Sequence, residues 1–559
     1  MASLSASLNK DKIAFNAIQG RLPAFDEICA HHLIDESRLL GGLLERAVFT
    51  EDERFHISEI ARRLVQEARN DQKHHSGVDA FMREYGLSTE EGVILMCLAE
   101  ALLRIPDTDT ADAFIAEKIR DGNWDRHRGH SDSFFVNAST WGLMLTGRLV
   151  KIKETSNSSF GFENLKRFVA RSGEPVVRQA VRQAVKLLGE QFVLGRTIEE
   201  AIRRAREFER KGYRLSYDML GEAAKTETDA QRYFERYKSA IVRVGQSVSP
   251  PLVGINEELL LRPSISIKLS ALHPRFDIGR DDQLLNELLP RINTLINEAK
   301  AYGLSLTVDA EEQDKLEIML RIFGEAFLNP EQKNWKGLGI AVQAYSRRSI
   351  PVLRWLKQLS EVSGKSIPVR LVKGAYWDSE IKWAQERGLS DYPVFTRKRN
   401  TDVSYLACMR YMLSYPRHFY SQFASHNAHT IASAILAAGN IPFEFQRLHG
   451  MGEPVYDNII NSSTLSKPCR IYAPVGDHEY LLSYLVRRLL ENGSNMCAGL
   501  ADGRGNVRRG GVAAARERHH RRDRRDERHL AAGGADAGPR DLRARRSAGR
   551  PPLPLNGGR

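Results

Sequence analysis

Residues 339–372 read GIAVQAYSRRSIPVLRWLKQLSEVSGKSIPVRLV. The stretch opens and closes on short strand-like runs, 339–343 and 369–372, and the residues between them carry a helical period. Strand, helix and strand in that order make a βα unit, because the helix returns the chain so that the second strand can lie parallel to the first. The same texture recurs on both sides, with further strand-like runs at 214–217, 265–268, 306–309, 422–425, 443–446 and 470–473. Eight such runs in about 280 residues predict a closed (β/α)8 barrel rather than an open doubly wound sheet, and no GxGxxG follows any of them.

Upstream of the barrel the pattern is helical, with apolar residues three and four apart in 25–48, 57–68, 92–105 and 176–192 and breaks at 107–112 and 155–159. Downstream, residues 501–559 hold 16 Arg, no Lys, 7 acidic residues and no Phe, Tyr, Trp, Ile or Met. Too little apolar area is present there to offset chain entropy, so a disordered basic tail is expected. The expected organisation is a helical N-terminal region (arm and α-domain, 1–205), a barrel (206–495) and an Arg/Gly/Ala-rich tail (496–559). The abrupt shift after Asn495 suggests a reading-frame change or a fusion to unrelated sequence.

The formal charge of +12 comes mainly from that tail, so the high pI does not argue for a nucleic-acid-binding fold. Five scattered cysteines without a CxxC spacing suit a reducing compartment and speak against a disulfide framework or zinc knuckle. The longest apolar run, 93–103, is interrupted by Glu100 and is shorter than a spanning helix needs. No export signal is seen at the N-terminus, so a cytoplasmic protein is expected.

In a (β/α)8 barrel the chemistry sits at the C-terminal ends of the strands. Those positions hold Lys268, Asp309, Gln343, Lys373, Tyr376, His426, Asn427 and Tyr472, with Glu222 just beyond the first strand. The last helix, 477–492, places Tyr484, Arg487, Arg488 and Glu491 on one stripe. That stripe is open to two readings: a solvated face, or paired guanidinium forks that hold a small carboxylate. Lys268 is likewise open between a Schiff-base amine and a fixed positive charge. The histidines of SHNAH (425–429) lack enough neighbouring ligands on the rim, and no metal is expected.

Several motifs are more specific: SIKLSALHPRF (266–276), DAEEQDKLE (309–317), RLVKGAYWDSEIK (370–382), VFTRK (394–398), FASHNAHT (423–430), FEFQRLHGMGEP (443–454), RIYAPVG (470–476) and YLVRRLLENG (484–493). Together they resemble the proline dehydrogenase domain of the bifunctional flavoenzymes called proline utilization A. FVNASTWGLMLTG (135–147) resembles the helical domain ahead of that barrel. The resemblance implies oxidation of L-proline to Δ1-pyrroline-5-carboxylate by hydride transfer to FAD, with electrons passed to a membrane quinone. It implies a catalytic set of Lys268, Asp309, Arg370, Tyr472, Arg487 and Arg488, the two last arginines clamping the substrate carboxylate. Glu222, Ala375, Tyr376, Leu448 and Tyr484 would complete the substrate pocket. For FAD it implies Arg370 and Gln343 at the flavin ring, Gly374, Thr396, Lys398, His426, Asn427 and Glu491 along the rest of the cofactor, and Trp377 against the adenine.

Three further expectations accompany the resemblance. The family's aldehyde dehydrogenase domain has no counterpart here, so second-step activity is expected to be missing. Helical-domain sequence begins by about residue 15, which leaves no room for a ribbon-helix-helix module, and sequence-specific DNA binding is not expected. Peripheral membrane contact and homo-oligomerisation stay open. A barrel aldolase using Lys268, and an inactive fragment whose basic tail binds polyanions, are the competing readings.

Overall fold

Alternation decides this architecture: each strand sends every second residue inward, and the inward set is polar while the outward set is apolar. The computed structural model describes residues 22–71, 110, 192–248, 256–476, 484 and 487. The expected α-domain, the basic tail, and Arg488 and Glu491 of the last helix lie outside the described residues.

Ahead of the barrel stand α1 (Asp26–Ala30), α2 (Glu36–Arg46), α3 (Glu51–Asp71) and α4 (Ile198–Arg210). The strands are β1 (Arg214–Met219), β2 (Ser264–Ile267), β3 (Ser305–Val308), β4 (Leu338–Gln343), β5 (Ile367–Val372), β6 (Phe419–Ala424), β7 (Phe443–Leu448) and β8 (Cys469–Val475). All pairings are parallel, each strand lies beside its sequence neighbour, and β8 closes on β1. The main connecting helices are α5 (Glu227–Ser247), α6 (Asp281–Ala301), α7 (Leu316–Leu328), α8 (Ser349–Ser363), α9 (Trp377–Glu386), α10 (Lys398–Ser414), α11 (Ala428–Ala438) and α12 (Glu453–Asn461). All eight expected runs are therefore strands of a closed barrel. Their ends shift by a few residues, so Lys268 and Asp309 stand one position beyond β2 and β3.

The apolar core lies between sheet and helices. Leu215, Ile265, Ile267, Leu306, Ile340, Val369, Leu371, Phe445 and Ile471 are fully buried there. Each such side chain contributes about 1.5–3 kcal/mol through removal from water. Inside the cylinder the floor is ionic. Glu444, with no exposure, accepts from Arg470 Nε at 2.7 Å and Nη2 at 3.1 Å, and from Arg214 at 3.0 Å. Gln422, Gln446 and Tyr420 donate to it as well, at 2.9, 3.1 and 3.2 Å. Burial alone would raise the Glu444 carboxyl, but the two arginines and their hydrogen bonds outweigh it and hold the group below its ordinary value.

The segment 22–71 wraps the outside of the barrel. Phe25 packs against Trp355 with ring centres 5.2 Å apart, and Trp355 Nε1 donates to Pro23 O at 3.0 Å. Further along, α2 rests on α10, and α3 on α11 and α12. The expected domain boundary at 205/206 falls inside α4, which packs on β1, β8 and α5 and so belongs to the barrel. Among the described residues no helix is long and apolar enough to cross a membrane.

Candidate active site at the barrel mouth

Four charged groups meet at the centre of the mouth. Lys268 Nζ donates to Asp218 Oδ1 at 2.7 Å and lies 3.6 Å from Asp309 Oδ2. Asp309 also accepts from the Tyr472 hydroxyl at 2.7 Å and from Arg370 Nη1. Arg370 reaches across the cylinder: Nε donates to Gln446 Oε1 at 2.6 Å, and Nη2 to the hydroxyls of Ser216 at 3.1 Å and Ser266 at 3.0 Å. Its guanidinium also lies 5.0 Å from the centre of the Tyr472 ring. Two cations thus face two carboxylates, and four of the five N–H donors of Arg370 are spent inside the barrel.

This balance bears on the two readings of Lys268. Burial by itself would lower its ammonium, but Asp218, Tyr472 and Asp309 outweigh burial and raise it well above the ordinary lysine value. An amine held protonated has no lone pair with which to attack a carbonyl, so the ion pair with Asp218 favours the fixed-cation reading over the Schiff base. Burial, followed by Asp218 and Asp309, likewise raises the Tyr472 phenol well above its ordinary value, and it remains a hydrogen-bond donor.

At the rim, Arg487 and Glu222 form a bidentate pair, Nη1 to Oε1 at 2.7 Å and Nη2 to Oε2 at 3.1 Å. The Arg487 guanidinium sits 5.2 Å from the centre of the Tyr376 ring, and the Tyr376 hydroxyl is 3.5 Å from Glu222 Oε2. Tyr484, three residues before Arg487, is buried. The loop that presents Glu222 is unusual. Ala223, the next residue, is the one non-glycine with positive φ (53°) among the described residues, a conformation an L-residue rarely takes. Ser270 supports it: its hydroxyl accepts Ala223 N–H at 3.0 Å and its carbonyl accepts Ala224 N–H at 2.9 Å. Ser270 in turn rests on Glu311, which accepts from its N–H at 3.1 Å and from its hydroxyl. Burial, then Glu312, pushes the Glu311 carboxyl up to about 7.

The remaining expected residues are arranged around this centre. Gln343 accepts from Gln313 Nε2 at 2.9 Å and donates to the Glu311 carbonyl at 3.1 Å. Gly374 has φ 129°, and a Cβ there would meet the Tyr345 ring at 2.4 Å, so the turn after β5 requires glycine. Ala375 is exposed, while Leu448 donates its N–H to His426 Nε2 at 3.1 Å. Asn427 caps α11 by accepting Thr430 N–H at 3.0 Å. Trp377 is 39% exposed, and its Nε1 donates to Phe395 O at 2.8 Å. Lys373 pairs with Asp402 at 2.5 Å, away from the central four, and Lys398 is exposed. Thr396 gives both its donors to Glu36 of the arm.

Lys268, Asp309, Arg370 and Tyr472 are thus in direct contact, as are Glu222, Tyr376 and Arg487. Asp218, Gln446, Ser216 and Ser266 also belong to the site and were missed. Their signal was present: in RLSYDM the polar residues Arg214, Ser216 and Asp218 alternate with Leu215, Tyr217 and Met219, and a strand ended at 217 stops one residue short of Asp218.

A family model for proline dehydrogenase matches residues 201–498. A second model, described as the DNA-binding domain of proline dehydrogenase, matches residues 77–192, nearly all outside the described residues. Its description bears on the expectation of no sequence-specific DNA binding. The bifunctional protein PutA of Salmonella typhimurium is 49% identical over 471 residues, covering 82% of this chain and 35% of that protein. Proline dehydrogenase 1 of Bacillus subtilis is 28% identical over 316 residues, covering 56% of this chain and 88% of that protein. A solved structure of a mutant of Bradyrhizobium japonicum proline utilization A has a TM-score of 0.62 at 43% identity, covering 84% of this chain and 46% of that one. The chain therefore spans about a third of the length of the first of these relatives.

Proposed function

Because the chain belongs to the proline dehydrogenase family, we propose that it oxidises L-proline to Δ1-pyrroline-5-carboxylate with FAD, in the cytoplasm, passing electrons to a quinone at the inner face of the membrane. The observation that carries this reading is the bidentate Glu222–Arg487 pair beside a central cluster whose own charges cancel. Lys268 and Arg370 are matched by Asp218 and Asp309, while Glu222 accepts one N–H from each Nη of Arg487 and leaves the others free to bind; capture of a small carboxylate is assigned to Arg487 with Arg488, the next residue in the chain.

The residues at the mouth fit a flavin. Gly374 keeps the backbone bare after β5, and Arg370 retains one guanidinium proton with no acceptor among the described residues. Arg370, Gln343, Gly374, Trp377, Thr396, Lys398, His426 and Asn427 would hold the cofactor, with Glu491. Bound FAD would supply the hydride acceptor for the proline ring. The chain's own contribution is positioning. Glu222 fixes the plane of Arg487, Tyr376 packs under that guanidinium, and Tyr484 bounds the pocket against larger rings. Asp309 and Gln446 hold Arg370 rigid, so its positive charge needs no reorganisation during the reaction.

An absorption spectrum of the purified protein, taken anaerobically before and after L-proline is added, tests the reading. Flavin bands that proline bleaches are expected. A colourless protein that takes up no FAD, or a flavin that proline leaves oxidised, would overturn it.

A further inference from the structure

α10 begins without a cap of its own. Its N-cap residue is Arg397, whose side chain makes no capping hydrogen bond, although the exposed N–H groups of a helix start call for an acceptor. An acidic residue of the arm, 360 residues earlier in the chain, instead binds the residue just ahead of that cap and one side chain of the first turn. Glu36 Oε2 accepts Thr396 N–H at 3.0 Å, the Thr396 hydroxyl at 2.7 Å and an Arg347 N–H at 3.3 Å, while Oε1 accepts from Asn400 Nδ2. A carboxylate there also meets the positive end of the helix dipole. The contact is enclosed: Arg347 is 1% exposed and also binds Ile34 O at 2.6 Å and Asp391 at 2.8 Å.

The segment leading into α10 is held in two halves. Upstream, the barrel holds it without help from the arm. Arg347 N donates to Pro393 O at 3.1 Å, Phe395 N to Tyr345 O at 2.8 Å, and Trp377 Nε1 to Phe395 O at 2.8 Å. Downstream, Glu36 binds Thr396 and the Asn400 side chain, and the barrel takes over further into α10, where Asp402 meets Lys373 and Ser404 meets Ser349.

We propose that Glu36 is a positioning residue for the cofactor site: through Thr396 and Asn400 it fixes the start of α10 and so presents Thr396 and Lys398 to FAD. The inference rests on the flavin reading above. It has a chemical corollary. Because Glu36 takes both donors of Thr396, the Thr396 hydroxyl meets FAD through its lone pairs alone. Without Glu36 the segment samples other conformations, and the apparent affinity falls by the fraction left competent.

The test compares wild type with Glu36→Ala, Glu36→Gln and, as a control, Glu27→Ala, which removes a different arm contact, the pair with Arg354. Each apoprotein is titrated with FAD by flavin fluorescence, and hydrogen exchange of residues 36–46 is measured with and without FAD. Glu36→Ala is expected to weaken FAD binding by about tenfold. Glu36→Gln, which keeps a carbonyl acceptor for Thr396, should recover part of that loss, and Glu27→Ala should stay within about twofold of wild type. Coupling is reciprocal, so FAD should slow exchange in residues 36–46 of wild type and not of Glu36→Ala. Unchanged FAD affinity in Glu36→Ala, an equal loss in Glu27→Ala, or no FAD-dependent protection in wild type overturns the assignment. Wild-type protein that takes up no FAD overturns the flavin reading, and this inference with it.

Discussion

The floor and the mouth of the barrel are built from the same materials and end in opposite states. On the floor one carboxylate, Glu444, is saturated by six hydrogen bonds from Arg470, Arg214, Gln422, Gln446 and Tyr420. At the mouth Lys268, Arg370, Asp218 and Asp309 cancel one another, yet one Arg370 proton and the Arg487 face stay available. Gln446 joins the two layers, donating to Glu444 below and accepting from Arg370 above. A buried charge that is fully matched holds a fold together. One that is matched with a donor to spare can also hold a ligand.

The largest expected effect breaks the floor. Glu444→Ala leaves two guanidinium groups facing each other without a counter-charge, which should cost about 3–5 kcal/mol, read as the unfolding midpoint in urea. A variant as stable as wild type would mean that the floor is no ionic keystone. Next comes Arg487→Met, which should raise the Michaelis constant for proline by at least about 30-fold while leaving flavin content unchanged. Equal loss of both would assign Arg487 to structure, as on the floor, and erase the contrast.

A smaller effect separates the layers by pH. The Glu311 carboxyl, pushed up to about 7 from an ordinary 4.5, keeps its proton longer in the folded state than in the unfolded one. Stability should therefore fall as pH rises from about 4.5 to 7, and Glu380, also pushed up to about 7 by burial first, adds to the same slope. Glu311→Gln should remove its share, so the two unfolding curves should differ by about 1–2 kcal/mol more at pH 8 than at pH 5. Parallel curves would show that Glu311 does not titrate. The smallest effect concerns the loop that carries Glu222, which ends on a capping box between Thr226 and Asp229. Thr226→Ala should raise the proline Michaelis constant by less than about threefold, and a larger rise would make that cap part of the substrate site.

Three of the central mouth residues were legible for a simple reason. In a parallel barrel the strand ends must converge, so Lys268, Asp309 and Tyr472 could be placed together from the order of strand-like runs alone. The resemblance added Arg370. Asp218 escaped because the first run was ended at Tyr217, although the polar alternation continues to it. The Glu311–Ser270–Ala223 support was not legible, since it depends on a positive φ at an alanine that nothing local requires.

What the chain determined by itself was periodic: eight strand-like runs separated by helical stretches, a count that favours closure into a cylinder over an open sheet. What the tertiary structure decided was partnership. Lys268 had no visible counter-charge until Asp218 stood 2.7 Å from its nitrogen. Glu36 was one acidic residue among many until the arm carried it to the start of α10. Periodicity is a property of neighbours along the chain, whereas the charge state and hydrogen bonds of a buried group depend on residues that only folding brings within reach.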